Sequence, residues 1–174
     1  MAEDPQGEVK RDAIRSLRSD QKVYLRFINL TKCTIELVWV NFFGSYIRYK
    51  LLRRGEYVDV NTFTTHPWLA LEIHTKDRMH ICKQYIYMPR PTQEIMKLKS
   101  NLREPVVDRE KRKICCITTP LYSLRFQSLL ILRNYFKTPE EVSALDLPRS
   151  VTDDLRKAIT IRNKQITTPI YTLG

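Results

Sequence analysis

Apolar and polar positions alternate with a period of two over much of the first two thirds of the chain. From Lys22 to Asn29, Val23, Leu25 and Phe27 fall on one side, and Tyr24, Arg26 and Ile28 on the other. Thr34 to Phe42 places Ile35, Leu37 and Trp39 on one face. A turn at Gly44-Ser45 precedes Tyr46 to Leu52, and Arg53-Arg54-Gly55-Glu56 precedes Tyr57 to Phe63. Trp68 to His74 and Met79 to Met88 follow, separated by the polar turn Lys76-Asp77-Arg78, and Lys113 to Thr118 closes the series. Neighbouring side chains on a strand point to opposite faces, so short alternating runs broken by turn residues predict an antiparallel β-sandwich.

The alternation stops between Pro89 and Arg112, where basic residues (Arg90, Lys97, Lys99, Arg103, Arg109, Lys111, Arg112) mix with Glu94, Glu104, Asp108 and Glu110. This is either a solvated insertion with one helical turn near Glu94 to Lys99, or an electrostatic docking strip. Residues 1–18 read as a charged, flexible arm.

From Pro120 the period lengthens to about 3.6. Tyr122 to Phe136 predicts one helix, with Leu124, Ser128 and Leu132 stacked at four-residue spacing. Thr138-Pro139-Glu140-Glu141 is a helix start: threonine as N-cap, proline at N1, and a glutamate at N3 closing a capping box. Leu147-Pro148 opens a third helix running to about Ile159, with its own row of Leu147, Val151 and Leu155. The tail is β-like at Ile170-Tyr171-Thr172-Leu173 and either returns to the sandwich or frays. The fold class is α+β: an arm over 1–18, a β-sandwich over 19–118 with a basic insertion at 90–112, a small α domain over 119–159 and a tail over 160–174.

A leucine row at helical spacing is often plain core. Here about forty residues in three short helices have little with which to hide apolar faces, and Leu129-Leu130-Ile131-Leu132 makes the first helix apolar nearly all round. A small residue, Ser128, between two leucines lets a partner come close while the leucines fill pockets.

Composition narrows the reading further. Apolar residues make up 43% of the chain, enough for a sizeable core and against disorder. The net charge of +11 favours anionic partners, nucleic acid among them. No apolar run is long enough to span a bilayer, and the polar, acidic start is no signal peptide. Four cysteines without Cys-x-x-Cys spacing, two of them adjacent (Cys115 and Cys116), read as reduced thiols of an intracellular protein. Three histidines and four glycines supply no hydrolase, zincin or phosphate-loop motif. His74 and His80 lack a third metal ligand, so no metal, cofactor or catalysis is expected. Trp39, Tyr49, Thr62, His66 and Trp68 sit in neighbouring segments, either as core filling or as a binding site.

Two sets of residues together resemble the von Hippel–Lindau tumour suppressor family. On the β side these are Val38-Trp39-Val40-Asn41-Phe42-x-Gly44, then Tyr49, Gly55 and Asn61-Thr62-Phe63-Thr64-Thr65-His66-Pro67-Trp68. On the helical side it is Ile117-Thr118-Thr119-Pro120-Leu121-Tyr122-Ser123-Leu124. The resemblance runs from about Arg15 to Ile159. It implies the substrate receptor of a cullin-based ubiquitin ligase, which recruits a ubiquitin-loaded enzyme through a RING protein. Ser123, Leu124, Ser128, Leu132, Leu145 and Leu147 would dock on elongin C, itself bound to elongin B. Leu147, Pro148, Val151 and Leu155 would meet a cullin-2-type scaffold. Arg133 matches a structural arginine at the helical junction.

The resemblance also implies that Trp39, Tyr49, Thr62, His66 and Trp68 hold the 4-hydroxyproline of a hypoxia-inducible factor alpha subunit. The chemistry suits it: two indoles and a phenol box a pyrrolidine ring, and a hydroxyl and an imidazole can bond the added oxygen. Plain proline would leave those polar groups unpaired, at about 1–3 kcal/mol each, and sites built for a hydroxyl reject its absence by up to about 10⁴–10⁵. The chain departs from the family at several positions. Thr62 replaces a serine, Asn61 and Phe63 replace a histidine and a tyrosine, and Arg18 and Asp20 replace an asparagine and an arginine at positions flanking the peptide. Ser128 replaces a cysteine, and the Pro89–Arg112 segment is longer. Two other readings stand beside this one: a nucleic-acid-binding β module whose helices dimerise it, and a scaffold for matrix or cytoskeletal proteins.

Overall fold

The computed structural model describes residues 14–91 and 112–172. Most of the basic insertion and of the N-terminal arm lies outside these residues. Among the described residues eight strands form one curled sheet: β1 (Lys22–Asn29), β2 (Ile35–Val40), β3 (Tyr46–Leu52), β4 (Tyr57–Phe63), β5 (Trp68–Glu72), β6 (Arg78–Ile81), β7 (Lys113–Thr118) and β8 (Ile170–Thr172). Their order is β4-β1-β7-β6-β5-β2-β3-β8, with β6 bonded to β7 on one side and β5 on the other. The sheet folds over until β3 and β4 touch, yet no ladder joins them among the described residues.

Alternation produces this shape directly. Val23, Leu25 and Phe27 of β1 are fully buried and pack with Ile35, Leu37, Val60, Trp68, Ile81, Cys115 and Ile117 in the enclosed core. A second cluster, Val38, Val40, Leu69 and Leu71, covers the other face of β2 and β5 beneath Ile14, Tyr46, Ile86 and Ile170. These central strands are buried on both faces, as their near-continuous apolar runs require.

The sheet is mixed rather than antiparallel. β1 pairs with β7, and β3 with β8, in parallel. Strands joined by hairpins must run antiparallel, whereas β7 and β8 arrive after long excursions and are free of that constraint. The predicted strand from Met79 to Met88 is also broken. β6 ends at Ile81, Cys82 and Lys83 turn with φ of 50° and 66°, and the chain returns to bond Trp68 through Tyr87.

The helical region differs in its details. α1 (Leu124–Leu132) is followed by a 3₁₀ turn (Arg133–Tyr135), and the Thr138-Pro139 start yields a 3₁₀ segment, Pro139–Ala144. Thr138 makes no side-chain cap, and Glu141 instead accepts the N–H of Lys137 at 3.0 Å. α2 spans Arg149–Thr167, well past Ile159, so most of the expected tail is helix and the rest is β8. Four side chains, Leu129, Val142, Leu155 and Ile159, form the main buried apolar cluster of this region, flanked by Phe136 and Leu147. Arg133 fastens it to the sheet. Its guanidinium is 1% exposed and bonds both carboxylate oxygens of Asp77, while its carbonyl accepts from Arg162.

Candidate functional site

The five aromatic and polar residues converge at the open seam between β3 and β4. Trp39 and Trp68 lie opposite each other on β2 and β5. Between β2 and β3 the register slips after Leu37: Leu37 faces Lys50, but Val38 faces Arg48, leaving Tyr49 as the extra residue of a β-bulge. A bulge re-aims its side chain. Here the Tyr49 ring meets that of Trp68 edge-on, with centroids 5.2 Å apart. From β4, Thr62 accepts the indole N–H of Trp68 at 3.2 Å, and both residues are nearly fully buried.

The turn after β4 brings in His66. Its N–H closes on the Phe63 carbonyl at 3.1 Å, and its ring stacks on Trp39 at 5.4 Å and 29°. Phe42 and Phe63 pack on the same imidazole with centroids 5.4 and 5.0 Å away. Burial holds the His66 pKa below the usual histidine value, so the ring is neutral at neutral pH. One ring nitrogen can then donate and the other accept. Ser19 Oγ lies 3.3 Å from its Nε2. The result is a partly open aromatic box with an aliphatic hydroxyl, a phenol and a neutral imidazole, a combination that suits a small saturated ring bearing a hydrogen-bonding oxygen.

Alternation alone does not mark Ser16, Ser19 or Phe42. The expected flexible arm is in fact pinned from Ile14 onward. Ser16 Oγ accepts the Trp39 indole N–H at 2.8 Å, and its own N–H donates to Asn41 at 3.1 Å. The N–H of Arg18 reaches Thr65 Oγ1 at 3.1 Å. The only sequence signal was the polar, non-repeating character of a segment that works through side-chain hydroxyls. Of the flanking residues, Arg18, Asp20 and Asn61 are exposed around the seam, Phe63 packs on His66, and Asn61 accepts from Arg112 at 2.8 Å.

A second surface lies on the helices. Ser123 caps α1 by accepting the Phe126 N–H. Leu124 is 81% exposed, Ile131 61%, Leu132 40% and Leu145 41%. Ser128 is exposed between the leucines, its hydroxyl turned back to the Leu124 carbonyl at 3.0 Å. A groove of about 490 Å³ next to them is lined by Leu145, Leu147, Arg149 and Arg156 among others. The row Leu147, Val151 and Leu155 needs correction. Pro148 is exposed and Val151 half-buried, but Leu155 is fully buried against Val142 and Ile159. It locks α2 in place and presents nothing to a partner. Among the described residues, no group of three or more His, Cys, Asp or Glu side chains could hold a metal ion, and no helix is long and apolar enough to cross a membrane.

A curled β-sheet with an aromatic box in its seam and a small, apolar-faced helical unit defines the class: an α+β protein. The model of the VHL beta domain matches residues 14–95, which include the whole box. Protein Vhl of Drosophila melanogaster is 40% identical over 82 residues, 45% of this chain and 46% of that protein, so the match spans under half of the relative's length. This β region is thus similar to the VHL beta domain.

Proposed function

We propose that this protein is the substrate receptor of a cullin-RING ubiquitin ligase. Its β domain reads 4-hydroxyproline in a hypoxia-inducible factor alpha subunit, and its helices bind elongin C with elongin B and reach a cullin-2-type scaffold. The convergence of Trp39, Tyr49, Thr62, His66 and Trp68 in one box carries this reading. Among the described residues β4 is a free sheet edge beside Thr62, so an extended peptide can add to it and drop its ring between the indoles. The exposed Leu124–Ser128–Leu132 face supports the elongin contact, with Leu145 and Leu147 beside it. The protein does no chemistry itself. It brings a hydroxylated substrate to a ubiquitin-loaded enzyme, in cytoplasm and nucleus.

The nucleic-acid reading has weaker support, because it rests on the net charge of +11 alone and several exposed cations are already paired. Arg26 and Arg112 both pair with Asp59, at 2.7 and 3.4 Å, and Arg125 pairs with Asp154 at 2.7 Å. The decisive experiment is calorimetry of the full chain, co-expressed with elongins B and C, against hydroxylated and unmodified peptides of one sequence. Equal affinity for the two would end the proposal. Leu124→Asp should abolish elongin C capture and leave peptide binding intact.

A further inference from the structure

β3 carries little that fixes its own register. Of its seven residues only Leu52 is buried, and register is strongly specified only where one face of a strand is buried. Ile35 faces Leu52 and Glu36 faces Leu51 at one end of the pair, while Trp39 faces Ile47 and Val40 faces Tyr46 at the other. Between these ends β3 has one residue too many. With the end pairs kept, Val38 can face Arg48 and leave Tyr49 extra, or face Tyr49 and leave Arg48 extra. Residues directly opposite each other share a face of the sheet. Val38 lies on the face away from the box, clustered with Val40, Leu69 and Leu71, whereas Trp68 belongs to the enclosed core. The second pairing would therefore carry the Tyr49 phenol away from Trp68.

A buried charge separates the two arrangements. Glu36 lies on the same face as Val38 and is 0% exposed. Across the ladders it stands between Leu51 of β3 and Leu71 of β5. Each carboxylate oxygen takes one cation: Oε1 accepts from Arg48 Nε, and Oε2 accepts from Lys76 Nζ at 2.7 Å. When Arg48 faces Val38 it is the diagonal neighbour of Glu36 on that face, within reach of a long side chain. As the extra residue, Arg48 would leave the carboxylate to Lys76 alone, and breaking a buried ion pair is strongly destabilising. Setting register is the best-attested use of such a pair.

We propose that Glu36, acting through Arg48, fixes the slip at Tyr49 and so supplies the aromatic box with its phenol. Glu36 touches no ligand and is a positioning residue. A charge pair on the outer face of the sheet thereby decides which side chain stands on the inner one. The effect on peptide rests on the hydroxyproline reading above, whereas the effect on register does not.

The test reads nuclear Overhauser contacts in the full chain, deuterated except for the Tyr and Trp rings and the valine methyls. In the parent, the Tyr49 ring should touch the Trp68 ring. In Arg48→Met, it should lose that contact and gain one to the Val38 methyls. Glu36→Gln, which removes the charge from the other side, should do the same. Should Glu36→Gln not fold, Arg48→Met decides, because there the carboxylate keeps Lys76. Arg48→Lys keeps the cation and should restore the parent contacts. Calorimetry with the hydroxylated peptide then separates positioning from general damage. Tyr49→Ala should weaken binding by at least about fivefold, as truncating an anchoring aromatic side chain does, and Arg48→Met should approach that loss. The double variant should stay within about twofold of Tyr49→Ala, because both changes remove the same wall. Tyr49 remaining on Trp68 in Arg48→Met, no rescue by Arg48→Lys, or additive losses in the double variant would each overturn the proposal. If the parent binds hydroxylated and unmodified peptides alike, the function proposed above falls, and the ring contacts alone decide this inference.

Discussion

Replacing Thr62 by valine isolates the aliphatic hydroxyl of the aromatic box. The shapes are nearly the same, so no cavity opens, but the buried indole N–H of Trp68 loses its acceptor 3.2 Å away. An orphaned buried donor costs about 1–3 kcal/mol. Because 3.2 Å is the long end for such a bond, the expected loss of stability is in the lower half of that range. The effect on ligand is sharper. With the indole occupying a lone pair of Thr62 Oγ1, the hydroxyl proton is free to donate into the box. Its removal strands the hydroxyl of hydroxyproline, which at about 1–3 kcal/mol weakens binding by about 5- to 150-fold. Affinity for the unmodified peptide should stay within about twofold, since that ligand never made the bond. Calorimetry with both peptides on the elongin-bound protein reads the two effects, and a urea melt checks the fold. Thr62→Ser keeps the hydroxyl and should keep the discrimination. If Thr62→Val still separates the two peptides as well as the parent does, the hydroxyl is not the reading group and the reasoning fails.

Other perturbations test the frame around the box. Asp77→Asn leaves the buried Arg133 guanidinium without its counter-charge and should cost about 3–5 kcal/mol in a urea melt; a loss near zero would mean that the helical region is fastened elsewhere. Leu155→Ala should cost about 2–5 kcal/mol, measured by helical circular dichroism, because it empties a fully buried site in a four-residue cluster. Leu124→Ala, at an 81% exposed position, should shift stability by no more than about 0.5 kcal/mol while weakening elongin C capture. Burial lowers the pKa of both His66 and His80, so below about pH 6.5 the unfolded chain binds protons that the folded rings refuse, and stability falls as pH falls. His80→Gln should flatten part of that slope between about pH 6.5 and 5, and an unchanged slope would remove His80 from the account.

The strands were readable because each carries its own alternation. Val23, Leu25 and Phe27 announce which face of β1 is buried without reference to any other segment. The box was readable only as residue types at a spacing. What joins them is a register slip at Tyr49, and nothing in Tyr46 to Leu52 alone distinguishes a bulged strand from a regular one. The break at Cys82 was hidden for a related reason, since Cys and Lys are poor markers of a left-handed turn. Ser16 escaped notice because its role is to accept a hydrogen bond from an indole 23 positions away. The extension of α2 to Thr167 was masked by Thr160, Thr167 and Thr168, whose hydroxyls turn back onto helical carbonyls and so fit a helix that propensity argues against.

Because Ile170–Thr172 lies along Tyr46–Arg48, the helices are an excursion rather than an appendage. They leave the sheet at β7 and come back to it at β8, with Ile14 and Ile170 sharing the cluster under β2 and β5. A body gripped by its helices is thus moored at two ends, and pivoting about a lone joint is denied to it. Whatever sits in the seam is carried at a set angle and distance from whatever holds the helices, and clipping the chain after α2 would leave that mount to the β7 junction and the Arg133–Asp77 pair.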